Sequence, residues 1–406
     1  MIIKIKITYL LTLVISVLIL ILGHRIFVGE TIGFHDVPNE TVRAKVTRIV
    51  ERVERAAPEF DFFEDFEQTG EDFYPDSNDN FNFHDEYDDS GFFSMMPGDI
   101  IVFEARITRG PRRGETVTAE QTFSPILLDR SKEVARGNNV LLVNNNVGWF
   151  FGGYVRTTRL LVLGFLFVFC LLFFGGKKGV NTILSLGLTC AAIFAVFVPA
   201  ILSGKNIYLM SLFVCTYIVM MTPLIVIGYN KKSLASIAGC AAGVIIAGII
   251  ALVMDKALYL TGIVDEHSRY LVNLPGGIQF NLNAVIFAGI IIGATGAIMD
   301  VSISISSALW ELKEKANNIK FRELFRSGIN IGRDIMGTMA DTLILAYIGS
   351  SLTVVLILTI FAGSPLGLFN SEMFAVEILQ AMAGSFGILF AMPLTALFCS
   401  IIYLRD

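Results

Sequence analysis

Eight stretches of this 406-residue chain are long and apolar enough to cross a bilayer, and no other feature restricts its fold as tightly. Crossing about 30 Å of hydrocarbon as a helix takes about 20 residues. The stretches run approximately over residues 5–22, 160–174, 180–202, 207–228, 234–254, 284–300, 337–362 and 374–403. Hydrocarbon offers no partner to a peptide N–H or C=O, so each crossing has to satisfy its backbone internally, as a helix does. Hydrophobic residues make up 54% of the chain and charged ones 17%, against about 25% charged in a soluble domain. A soluble enzyme is thereby excluded. The expected fold class is an α-helical integral membrane protein of about eight transmembrane helices, with the lipid bilayer as its first partner.

Lysine and arginine in short flanks stay on the cytoplasmic side. Lys4 and Lys6 precede the first stretch, Lys177 and Lys178 join the second to the third, and Lys231 and Lys232 join the fourth to the fifth. Lys313, Lys315, Lys320, Arg322 and Arg326 follow the sixth, whereas the opposite loops carry little beyond Lys205, Lys256 and Arg269. Both termini are expected in the cytoplasm and residues 24–155 outside. Residues 1–23 read as a signal anchor, because no small-x-small cleavage site follows the apolar run. Residues 156–406 then form a seven-helix membrane domain.

Within residues 24–155, alternating β-branched residues predict strands at 42–50, 99–107, 115–123 and 139–144, and RGPRRGE at 109–115 predicts a turn. Four or five short strands suggest a small extracellular β-domain, a barrel or partial barrel, between the first two membrane helices. Residues 57–97 interrupt it with 13 Asp or Glu and not one Lys or Arg. That charge predicts a flexible acidic insertion. Its Asp76, Asn78 and Asn80 begin like a calcium loop, but Phe81 stands where glycine is required and Tyr87 where the bidentate Glu belongs. The net charge of −5 is therefore uneven.

Cys170, Cys190, Cys215, Cys240 and Cys399 all lie in apolar runs, so the outer segment has no disulfide framework. His24, His35, His84 and His267 fall on the expected outer side, and neither H-E-x-x-H, a P-loop nor G-x-G-D occurs. No catalytic, metal or cofactor site is expected, and nothing points to nucleic acid. Small residues recur every four positions at Ala235, Gly239 and Gly243, and again at Gly289, Gly293 and Ala297, which predicts close helix packing. Two basic hairpins, residues 174–189 and 227–243, resemble each other, as parallel repeats would.

The sixth and seventh stretches carry the most informative residues. On a helix, Asp300, Ser304, Ser307 and Glu311 fall within about 60°, and Asn330, Asp334, Thr338 and Asp341 within about 80°. A hairpin centred between Lys320 and Phe321 would set Asp300 opposite Asp341, Ser307 opposite Asp334 and Glu311 opposite Asn330. A carboxylate at membrane depth marks ion, proton or substrate pathways. The candidate site is Asp300, Ser304, Ser307, Asp334, Thr338 and Asp341, with Arg333 as charge partner. Two alternatives stand beside it: both acids lie at the water interface, or DVSISISS, which also alternates with period two, is an unwound segment. Glu377 is a lesser candidate near the outer end of the last stretch.

The runs GGKKGVNTILSLGLT, VPAILSGKN, IIIGATGAIMDVSISISSALWEL and SGINIGRDIMGTMADTLILAYIGSSL together resemble the YibE/F family of bacterial multi-span membrane proteins. The similarity covers roughly residues 100–403 and the strand at 42–55, with Asp300, Arg333, Asp334 and Asp341 in the family-like motifs. The resemblance implies an integral protein of the bacterial envelope and supplies no substrate; the acidic stretch looks like an insertion. Three functions follow in order: a plasma-membrane permease or transport-associated protein, an envelope scaffold or assembly factor holding another envelope protein or a second copy, and, third, an intramembrane enzyme.

Overall fold

The structure, a computed structural model, describes residues 2–27, 40–53, 99–123, 132–145, 147–264, 266–272, 280–316, 319–361 and 364–405. The acidic insertion and its calcium-like run lie outside the described residues. The chain divides into two compact units, Phe34–Leu166 on the one hand and Met1–Gly33 with Phe167–Asp406 on the other.

The first unit is a closed five-stranded barrel. Its strands are β1 (Glu40–Val53), β2 (Ile100–Arg109), β3 (Thr116–Thr122), β4 (Asn139–Asn144) and β5 (Trp149–Tyr154), in the order β1-β2-β3-β5-β4. Neighbours are antiparallel except β3 and β5. Alternation sends Val42, Ala44, Val46, Phe103, Ala105, Ile107 and Leu142 inward, where all are buried. Gln121 is the polar exception inside. Its Oε1 accepts from Val134 N at 2.9 Å and its Nε2 donates to the Lys132 carbonyl at 3.3 Å, so the amide is satisfied. Four strands fall where the alternation predicts them. The fifth, WFFGGY, closes the barrel and has neither β-branched residues nor alternation to announce it.

The second unit is helical. Its elements are α1 (Ile2–Phe27), α2 (Thr157–Ala191) continued by a π-helical turn at Ala192–Phe197 into α3 (Val198–Leu202), then α4 (Ile207–Val226), α5 (Lys231–Ala257) and α6 (Glu266–Val272). After these come α7 (Leu282–Lys315), α8 (Phe321–Ser350), α9 (Leu352–Phe361), α10 (Pro365–Asn370) and α11 (Glu372–Leu404). Inside α2, Gly176 takes φ +52° and ψ −128°, which ends a right-handed helix. The Cβ position of Gly179 lies only 3.0 Å from the Leu171 carbonyl carbon, although eight residues of continuous helix would span about 12 Å. The chain therefore doubles back at Gly176, and the two apolar stretches read from the sequence are separate arms. The equivalent turn before α5 uses Gly228 at φ +92°, followed by a capping box between Asn230 and Ser233.

Hydrogen bonds orient these arms. Tyr9 Oη donates to Asn181 Oδ1 at 3.0 Å, and the His24 ring meets the Ala195 carbonyl at 2.7 Å. Steps of 15 and 14 residues between those contacts set α1 parallel to the second arm of α2. Ser16 and Tyr217 hydroxyls, 2.6 Å apart, tie α1 to α4.

By length and hydropathy, Tyr9–Phe27, Thr157–Leu202, Ile207–Val226, Lys231–Ala257, Leu282–Lys315 and Glu372–Leu404 could each cross a membrane. The second of these holds both arms of the Gly176 hairpin. The expected seventh stretch, residues 337–362, is not one helix. Its first part is the end of α8, which starts 16 residues earlier at Phe321, and a break at buried Ser351 separates it from α9.

Packing centres on α5, α7 and α11: α5 meets α11 through backbone, and α7 packs against both through the Ile298 side chain. A Cβ at Gly239 would overlap Thr395; one at Gly243 would come within 2.7 Å of Ala391 Cβ and 2.9 Å of the Gly387 carbonyl. The Ala235, Gly239, Gly243 stripe thus does what its spacing predicts. The second stripe is mixed: Gly289 has open space around its Cβ position, whereas that of Gly293 lies 2.6 Å from the Tyr347 hydroxyl of α8. Gly239→Val or Gly243→Val should destabilise the protein by about 1–3 kcal/mol through overpacking, and Gly296→Ala, with nothing within 4 Å, should be neutral or stabilising by up to about 1 kcal/mol. Thermal unfolding in detergent, followed by labelling of the buried Cys215, Cys240 and Cys399, reads both.

Candidate functional site

α7 is one unbroken helix from Leu282 to Lys315, so DVSISISS is not an unwound segment. Helical geometry then divides its serines between two faces. Ile298, Ser302, Ile305, Ser306 and Leu309 face the bundle and are buried. Asp300 lies about 160° around the helix from Ser302 and is exposed, with Ser304 and Ser307 half-buried beside it. Gly289 and Gly296 continue this outward stripe. On α8, Leu324, Gly328 and Gly332 face the bundle, while Arg333, Asp334, Thr338 and Asp341 are exposed. Thr338 Oγ1 donates to the Ile335 carbonyl at 2.9 Å.

The two helices form an antiparallel pair, in a different register from the one expected. Leu309 Cδ1 lies 2.9 Å from the Cβ position of Gly328, and Ile305 Cδ1 3.3 Å from that of Gly332. Extended along both helices, these contacts set Asp300 level with Gly337, not Asp341. Ser307 is level with Asn330, not Asp334, and Glu311 is not opposite Asn330. The shift is about one helical turn. Its cause is the connection, which runs from the end of α7 at Lys315 to the start of α8 at Phe321 and so has its midpoint near residue 318. The register still brings Asp334, Thr338 and Asp341 each within about 6 Å of the level of Asp300 along the axis, Asp334 to one side of it and Asp341 to the other. They do not converge: among the described residues no hydrogen bond or ion pair joins them, and no group of three or more His, Cys, Asp and Glu is placed to hold a metal ion.

Caps fix how deep that level is. At one end, Lys231 Nζ donates to the Arg405 carbonyl and Lys313 Nζ to the Tyr403 carbonyl, covering the last carbonyls of α11. Lys232 and Lys313 both stand over the Trp310 ring, at 5.8 and 5.7 Å. At the other end, Glu372 accepts from Thr261 N at 2.6 Å, Gly262 N at 2.7 Å and Thr261 Oγ1 at 2.8 Å. Glu372, rather than Glu377, is the engaged acid there. Asp300 is about 20 Å along α7 from Lys313 and about 27 Å from Leu282. It sits well inside the helix, away from both capped ends.

The sequence did not reveal a buried polar seam behind the outward stripe. Thr395 Oγ1 donates to Ser302 Oγ at 3.2 Å, Tyr403 Oη donates to the Ser306 carbonyl at 2.8 Å, and Ser236 Oγ is buried without a partner. Spacing i, i+4 between Ser302 and Ser306 was the available signal, but only their distant partners on α11 distinguish that face from the one bearing Ser304. Nearer the Glu372 end, Asp255 Oδ1 is likewise buried and unpartnered, against a void of about 10 Å³ that Tyr208 and Asn283 help to line. That is about the room one water needs.

A family model described as YibE/F-like protein matches residues 163–405. The match takes in every candidate residue on α7 and α8 and leaves the barrel outside it, a narrower extent than the motif resemblance implies. No curated protein and no solved structure matches the chain. The register is open to cross-linking. Cysteines at Ile305 and Gly332 should cross-link with a short bifunctional thiol reagent, since the tip of the Ile305 side chain reaches the Gly332 Cβ position, whereas cysteines at Asp300 and Asp341 should cross-link less; the reverse result would restore the register expected from sequence.

Proposed function

The chain belongs to the YibE/F-like family, and on that premise we propose that it is a bacterial plasma-membrane permease or transport-associated protein whose polar site is the outward stripe of α7 with the adjoining face of α8. The observation that carries this reading is the depth of Asp300. A carboxylate exposed on a helix about 20 Å from the nearest cap would be costly against hydrocarbon, so it needs water, a cation or a proton. Asp334 and Asp341 add two carboxylates that flank this level within about 6 Å on either side, Ser304, Ser307 and Thr338 supply hydroxyl oxygens, and Arg333 supplies the nearby positive charge. Such a band can bind a cation or proton in transit, and the reading includes no catalytic step.

Orientation follows the caps. The α5 start, α7 end and α11 end share one basic end, which the positive-inside rule assigns to the cytoplasm. With α1 parallel to the second arm of α2, the amino terminus falls on the same side and residues 24–155 outside. Eight crossings require the first arm of α2 and the broken α8–α9 segment each to span. A second reading, an envelope scaffold, draws on one observation: the barrel and its acidic insertion lie outside the family match.

Asp300→Asn and Asp341→Asn test the site. In vesicles loaded with a pH-sensitive dye and given sodium, potassium or proton gradients, wild type should move at least one of these cations, and each variant should slow that flux at least tenfold. Unchanged flux in both variants would remove the site assignment.

A further inference from the structure

We propose that the wall of the barrel formed by β1 and β2 is a binding surface for a carboxylate-rich peptide segment, and that residues 57–97 of this same chain are its ligand. In the β1–β2 register Arg43 lies opposite Arg109 and Lys45 opposite Arg106. Val42, Ala44, Val46, Ala105 and Ile107 point inward and are buried, so Arg43, Lys45 and Arg106 project outward; the register shift between Arg43 and Ala44 breaks the alternation after Ile107, and Arg109 opposite Arg43 is exposed beyond it. Like charges directly opposite each other on neighbouring strands oppose pairing, and here two such pairs stand side by side.

Three neighbouring arginines are neutralised within the barrel. Arg48 meets Glu104 at 2.6 Å, Arg52 meets Glu133 at 2.9 Å, and Arg112 meets Glu40 at 3.6 Å. Among the described residues no carboxylate lies within ion-pair distance of Arg43, Lys45, Arg106 or Arg109. Three guanidinium groups and an ammonium on a closed sheet, with no free strand edge to extend, recognise carboxylates through side chains alone.

The complementary sequence is tethered to the same two strands. Residues 57–97 hold 13 acids and no Lys or Arg, and they fall in the connection that leaves β1 at Val53 and enters β2 at Ile100. From Val53 back to Arg43 is about 33 Å of strand, and half of that connection spans about 75 Å when extended. The wall is within reach, at the millimolar effective concentration that a tether provides. The inference is independent of the transport reading.

The test uses the detergent-purified chain and a variant in which residues 57–97 are replaced by a short Gly-Ser linker. A fluorescent synthetic peptide of residues 57–97 should bind the deletion variant, more weakly as salt rises from 0.05 to 0.5 M (about tenfold or more), and at least tenfold more weakly to the full chain, whose wall is already occupied. Arg43→Gln, Lys45→Gln, Arg106→Gln and Arg109→Gln in the deletion background should weaken binding at least tenfold, and the single reversal Arg109→Glu should do so in part, none of them lowering the thermal unfolding temperature. No binding to the deletion variant, or equal binding after the four substitutions, would overturn the proposal. Equal binding to the full chain would overturn the assignment of the segment as ligand in cis.

Discussion

The close approach of α5 to α11, with α7 packed against both, is the interaction on which the rest of the helical unit depends. Gly243 on α5 lies against Ala391 and the Gly387 carbonyl of α11, with Ile298 of α7 in the same contact. Helices that approach so closely gain dispersion contacts and weak polar contacts that larger side chains would block. This use of one face of α7 decides where the other face goes. With Ile298, Ser302, Ile305 and Leu309 committed inward, Asp300, Ser304 and Ser307 are left outward by helical geometry.

α8 extends the same logic. Gly328 and Gly332 let it lie against Leu309, Ile305, Ala396 and Met392, and its acids are turned away from that contact. Two polar stripes on neighbouring helices at overlapping depths are the outcome. The buried hydroxyls of Ser302, Ser306 and Thr395 are different in kind, since they are bonded to one another or to helix carbonyls and stiffen the packed core. Ser236 and Asp255, each with a buried atom lacking a partner, are the points where that core has unmet polar capacity.

Much of this was legible in the sequence because it depends on local periodicity. Apolar length located the long helices other than α8, Lys-Lys pairs located the turns at Gly176 and Gly228, and β alternation located β1 to β4. The Ala235, Gly239, Gly243 stripe was readable because four-residue spacing of small residues has few other uses. The register between α7 and α8 was not, since it depends on where Lys315 ends one helix and Phe321 begins the next, and a shift of a few residues there moves every pairing by a turn. Nor was the face of Ser302, whose partner Thr395 is 93 residues away. The break at Ser351 was hidden by an apolar run that continues across it.

The proposed function requires the outward face of α7 to be a wetted polar stripe inside the membrane. Single cysteines at Gly296, Asp300, Ser304 and Ser307, and at Ser302 and Ser306 on the opposite face, can be challenged with a small charged thiol reagent in intact membranes after the native cysteines are replaced. The account predicts modification at the first four positions and protection at Ser302 and Ser306. Protection of all six would make the stripe dry, and equal reaction of both faces would deny that α7 has a buried side at all.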